Sequence, residues 1–226
     1  MKQVNSNPYL GLQISQDLKW HVHICNITNR ASSTLGFLNR NLKNCSKECR
    51  KTAYLSLIRS TLEYGAIVWD TQYKTDIDRL ERIQNRAARF ITKDYHSREP
   101  GSMTSMLKEL ELPTLQERRK QLRLIFLYKV VEGLVPALPP SKFLTPKKSN
   151  KRQIKARKFK DCVSNNLVER SETNNSKPFE VPRSFTEQYK QSFFIKTLEE
   201  WNHLEDDIVT STSLETFKRK IMTSRD

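Results

Sequence analysis

From Trp20 onward the apolar residues recur at spacings of three and four, a period that commits most of the chain to amphipathic helices. Trp20, Ile24, Ile27, Ala31, Leu35, Leu38 and Leu42 mark the first helix. Ser46 offers a cap for a second, with Tyr54, Leu57, Ile58, Thr61, Tyr64, Val68 and Trp69 inward. Thr75 offers a cap for a third, burying Ile77, Leu80, Ile83, Ala87 and Ile91. A short fourth is expected around Met103, Met106, Leu107 and Leu110. Thr114 and Glu117 form a capping box for a fifth, which runs through Leu115, Leu122, Ile125, Phe126 and Val130 until Gly133 ends it. Tyr9–Ser15 alternates in part and reads as a strand remnant. Only five glycines occur, widely spaced, which excludes the usual Gly-rich phosphate loops and favours helices over a hairpin-rich sheet.

The expected fold is therefore mainly α. A strand remnant (1–16) precedes a small helical bundle (17–135), a basic mobile linker (136–180) and a small helical C-terminal unit (181–226). Pro136, Pro139, Pro140 and Pro146 break the helical period, and the apolar shortfall of the chain concentrates after Pro136. Eight basic residues and no acidic one lie between Lys147 and Lys160. Beyond the linker, Tyr189, Phe193, Ile195, Leu198 and Trp201 suggest a helix, and Thr212 with Glu215 suggests a capping box for another.

A formal net charge of +15 calls for a polyanion or an acidic membrane surface as partner. The chain has no apolar run of about 18 residues to span a bilayer and no signal-peptide core, and its four cysteines show no disulfide framework. An intracellular setting, nuclear or cytoplasmic, is expected. On the third helix Arg79, Arg82, Arg86, Arg89 and Lys93 are spaced 3, 4, 3 and 4, which stacks them into one cationic stripe beside the buried face. Forked guanidiniums in a row suit repeated phosphates. The competing reading is a solvated face paired to Asp76, Asp78 and Glu81. Arg118, Arg119, Lys120 and Arg123 suggest a second basic patch on the fifth helix. The 147–160 run could hold nucleic acid, act as a nuclear localisation signal, or keep a linker soluble.

No catalytic constellation is found. His21, His23 and Cys25 lack structural-zinc spacing, the two histidines lying about 200° apart on a helix, and Cys45 with Cys49 fares no better. Asp206-Asp207 is the one adjacent acidic pair and reads as a loop or helix start, not as a metal-binding pair. No metal ligands, cofactor or catalytic residues are assigned. An alternative function is a basic helical module that docks protein or an anionic surface, with Phe193, Phe194 and Trp201 as an exposed aromatic set.

Several segments, in order, resemble the region that follows the polymerase palm in LINE-type (non-LTR, jockey-like) retrotransposon reverse transcriptases. They are Tyr9-Leu10-Gly11, Asp17–Ile24, Thr34–Leu42, Leu57–Tyr64 with Val68-Trp69-Asp70, Leu80–Phe90, Leu115–Arg119, Leu127–Lys129, Tyr189–Phe194 and Glu200–Leu204. The resemblance covers nearly the whole chain and is weakest over 145–180. It implies that Tyr9, Leu10 and Gly11 close the palm near the primer grip, and that the helices form the thumb that holds template and primer. It implies an RNA or RNA–DNA duplex as partner, gripped through its backbone, together with the palm and fingers of the parent polymerase. The family's catalytic Asp-Asp turn has no counterpart here, so a divalent metal such as Mg would belong to the palm, and this stretch is expected to be inactive alone.

Overall fold

The computed structural model describes residues 6–97, 99–147 and 175–223. β1 (Ser6–Tyr9) pairs antiparallel with β2 (Leu12–Ser15), with Tyr9 opposite Leu12. The strand remnant is thus a hairpin, and Leu10-Gly11 is its two-residue turn, with φ of 48° and 81°. Positive φ at both positions is what the twist of a tight hairpin demands, and Gly11 meets it without strain.

α1 (His21–Asn41) buries Ile24, Ala31, Leu35 and Leu38 as its period requires. α2 (Lys47–Ala53) starts at Ser46, whose Oγ accepts the Cys49 N–H. The expected second helix then departs from a single α-helix. Tyr54–Arg59 is π-wound, α3 (Ser60–Glu63) follows, and Gly65 breaks the run before α4 (Ala66–Trp69). A wider turn lengthens the repeat, so Tyr54, Ile58, Leu62 and Ala66 are buried four apart. Leu57, Tyr64 and Val68, expected inside from a 3.6-residue period, are instead exposed.

Gly65 has φ +64°, and a Cβ there would come within 2.9 Å of Leu12 Cδ2. Gly65→Ala is expected to lower stability by about 1–2 kcal/mol from the left-handed backbone alone, with a further loss where the hairpin is displaced. Urea denaturation checks the first effect, and altered hydrogen exchange over β1 and β2 checks the second.

α5 (Lys74–Thr92) packs along α1. It starts one residue before the expected cap: Tyr73 is the N-cap, and Thr75 lies inside the helix. α6 (Ser102–Glu109) and α7 (Leu115–Val131) follow as expected, the Thr114 Oγ accepting the Glu117 N–H. Gly133, at φ +68°, closes α7 with the paired bonds Gly133 N–H to Val130 O and Leu134 N–H to Lys129 O. One core gathers Ile24, Leu35, Tyr54, Ile58, Trp69, Leu80, Ile91 and Leu115.

A second core forms around the far half of α7. Leu124, Leu127 and Tyr128 meet Leu144, Phe179, Leu198, Trp201, Phe217 and Ile221. Leu144 follows α8 (Pro140–Phe143), Phe179 precedes α9 (Glu187–Lys190), Leu198 and Trp201 lie on α10 (Phe193–Asn202), and Phe217 and Ile221 lie on α12 (Leu214–Thr223), with Ile208 and Val209 of α11 (Asp206–Val209) joining them. The start of α12 is capped by Ser213, which accepts the Thr216 N–H, and not by Thr212. Within the segment expected as linker (136–180), residues 144–147 are fastened to residues 178–180. Lys147 N–H donates to Pro178 O and Glu180 N–H to Thr145 O, while Leu144 and Phe179 are buried. Apart from Lys147, the 147–160 basic run lies outside the described residues.

Candidate nucleic-acid interface

The stripe exists as a physical row because Leu80, Ile83, Ala87 and Ile91 fix which face of α5 is buried. Arg79, Arg82, Arg86 and Arg89 then fall on the margin of that face, and Lys93 stands at the C-cap with φ +61°. Arg79 donates to Cys25 Sγ, and Arg86 Nη1 donates to Ser32 Oγ at 2.9 Å. Both contacts join residues 54 positions apart. A constant offset means that α1 and α5 run side by side in the same direction, so the stripe follows one edge of α1.

Two of the three acidic residues that could neutralise the row are engaged elsewhere. Asp76 is buried, with Oδ1 2.7 Å from His21 Nδ1. Glu81 accepts the Gln116 N–H at 3.0 Å, and burial pushes its carboxyl above the ordinary value. Among the described residues, no ion pair links the stripe to Asp76, Asp78 or Glu81. Arg82, Arg86 and Lys93 are exposed, and Arg79 and Arg89 are half-buried.

The second basic patch is corrected by the structure. Arg118 Nε and Nη2 hold Glu63 at 2.8 and 2.9 Å. Arg119 is 1% exposed, donates Nε–H to Asp70 Oδ1 at 2.7 Å, and lies 5.8 Å from the Trp69 ring centre. Arg123 is 2% exposed and bridges Asp70 to Glu200, reaching the latter's carboxylate at 2.5 and 2.7 Å. Lys196 Nζ adds a third cation on Asp70 at 2.6 Å. α7 has an apolar partner on both sides, so its arginines point into the junction between the two cores instead of toward solvent. Burial pushes the Asp70 carboxyl up, but Arg123, Lys196 and Arg119 outweigh it and hold the carboxyl below the usual range.

Tyr9 and Leu10 are exposed at the hairpin tip, where the Tyr64 hydroxyl donates to Leu10 O at 3.0 Å. Gly11 lines a cleft of about 590 Å³ with Leu12, His23 and Tyr64. His23 is buried, its Nδ1 accepting the Gln13 N–H, while His21 stays exposed on the other side of α1. Asp206 and Asp207 form the first turn of α11, where Asp206 accepts the Ser176 N–H and Asp207 pairs with Lys220. The aromatic set does not form an exposed docking face. Trp201 is fully buried, and Phe193 and Phe194 pack on Phe126 and Phe143. Sequence reading missed the α1 cations Arg30 and Arg40, and Lys43 just beyond, because their spacing makes no stripe within one helix.

A Drosophila melanogaster protein described as a probable RNA-directed DNA polymerase from transposon X-element is 27% identical to this chain over 93 residues. Those residues are 40% of this chain and 10% of that protein, so the chain spans a tenth of the relative's length. No protein-family model matches the chain, and no solved structure matches it. The likeness is a distant, partial link to retrotransposon reverse transcriptases.

Proposed function

We propose that this chain is a thumb-type, nucleic-acid-gripping part of a retrotransposon RNA-directed DNA polymerase. It holds an RNA or RNA–DNA duplex through its backbone, while polymerisation belongs to a palm that this stretch does not contain. The observation that carries the reading is the α5 stripe, which lies along α1 and, among the described residues, makes no ion pair with Asp76, Asp78 or Glu81. The partial likeness to a transposon polymerase supplies the partner class.

Arg79 and Lys93 are separated by 14 helical positions, or about 21 Å at 1.5 Å per residue. A duplex segment of that length carries about six phosphates per strand, against five cations in the stripe. Guanidiniums can fork onto phosphate oxygens, and none of these contacts reads base identity. The grip is therefore insensitive to sequence and sensitive to salt.

The test is fluorescence anisotropy of the chain with an RNA–DNA duplex across a salt series. The salt slope of binding is expected to fall by about two to three when Arg82→Glu, Arg86→Glu and Arg89→Glu are combined. Equal slopes for both proteins would overturn the stripe assignment and move the electrostatics to the 147–160 run.

A further inference from the structure

The parallel run of α1 and α5 brings their C-terminal ends together, and a cavity of about 590 Å³ opens between them. Arg40 and Lys43 from the end of α1, Arg50 from α2 and Lys93 from the end of α5 line it. Phe90 and Tyr95 line it as well, and among the described residues no acidic side chain does. A cation near a helix C-terminus is ordinarily explained by the helix dipole. Two such ends together offset about one charge, which leaves about three of the four cations in excess.

The four cations have different tasks. Arg50 is 4% exposed, with Nε and Nη2 on the Ile91 carbonyl at 3.0 and 2.6 Å and Nη1 on that of Cys45 at 2.6 Å. It satisfies the end of α5 and contributes a fixed positive field from the wall. Arg40, Lys43 and Lys93 are exposed, and among the described residues none is held in an ion pair. Asp94, the nearest acid in sequence, turns Oδ1 to the His96 and Ser97 N–H groups, and hydrogen bonds from the Ser97 side chain and from those N–H groups hold its carboxyl below the ordinary value. Tyr95 is 45% exposed, and its hydroxyl is tied to Asn39 Oδ1 at 3.2 Å, which limits the ring's freedom.

We infer that this cavity binds one nucleoside phosphate unit, the unpaired nucleotide at the end of a strand gripped by the stripe. The phosphate lies among Arg40, Lys43 and Lys93, and the base stacks on Tyr95. Lys93 belongs to both the stripe and the cavity, so a strand that follows α5 arrives there without a change of course. The inference rests on the duplex-gripping reading. A free nucleoside phosphate shares the same chemistry and is the other source of this ligand.

The experiment compares the full chain with Tyr95→Ala and with Lys43→Glu, two substitutions at exposed positions. Three probes are titrated by anisotropy or by competition: a short blunt RNA–DNA duplex, the same duplex with a single-stranded overhang, and a nucleoside 5′-monophosphate. The overhang is expected to tighten binding at least about fivefold in the wild type, with the gain lost in both variants. Equal binding of the blunt and overhung duplexes would overturn the inference while leaving duplex gripping intact. If neither duplex binds but the monophosphate does, and Tyr95→Ala abolishes that binding, the gripping reading falls and the cavity stands as a site for the free nucleotide. Inorganic phosphate competing as well as the monophosphate would remove the base from the site and overturn the assignment.

Discussion

Replacing Asp70 by Asn is expected to cost about 3–5 kcal/mol of folding stability, read as a lower urea midpoint at neutral pH. The reason is a charge imbalance in a dry place. Asp70 has a side chain 7% exposed and answers to Arg119, Arg123 and Lys196, while Glu200 shares Arg123 and Glu81 lies in the field of Arg119. Asp70 is the shared partner of three cations, so removing it leaves buried positive charge unanswered. Removing one cation leaves Asp70 paired with the other two. Arg119→Met is therefore expected to cost clearly less than Asp70→Asn, although it also gives up the contact with Trp69. The reverse order would show that packing, and not the charge count, governs this junction.

The same cluster sets an acid limit. The Asp70 carboxyl is held below its unfolded-state value, so its contribution is fully present above about pH 4 and is lost as pH falls through the folded-state value. In Asp70→Asn this part of the acid dependence should disappear, and the stability curves of the two proteins should converge at low pH.

The junction also shows where sequence reading ended. α1 was legible because one face is buried and its period is unbroken from Ile24 to Leu38. Ser46, Thr114 and Gly133 were legible because a cap is a local hydrogen-bond problem with few chemical answers. Residues 54–69 were not, since a π-wound stretch changes the period while every residue in it still suits an α-helix. The α7 arginines were misplaced for a different reason. Their partners Glu63, Asp70 and Glu200 lie 49 to 77 residues away in sequence, and no local pattern announces pairing at such distances. The α5 stripe was legible as a row, but its freedom from Asp76 and Glu81 needed the fold. The cavity between the helix ends was hidden because it draws on both ends and on a loop.

Trp201→Ala is expected to cost about 3–5 kcal/mol and to split unfolding into two steps. Trp201 is fully buried, its Nε1–H donates to Lys177 O at 3.0 Å, and its carbonyl accepts from Asn175 Nδ2 at 2.7 Å. Its ring lies 6.3 Å from that of Phe179 and 5.8 Å from that of Phe217, so truncation opens a void at the centre of the second core. The first core shares no side chain with that centre, and the two communicate through α7 and the Asp70 cluster. Calorimetry of the variant should therefore show an early transition for the C-terminal unit and a later one for the bundle. Duplex affinity should persist between the two transitions, because the stripe and the cavity are built on α1 and α5. Loss of affinity together with the first transition would mean that the bundle cannot hold its stripe without the C-terminal unit. Combining Trp201→Ala with Asp70→Asn distinguishes the two routes of communication. If the ion cluster is the main link, the second substitution should add little to the early transition, since Lys196 and Glu200 have already left with α10. If α7 is the main link, the two losses should add.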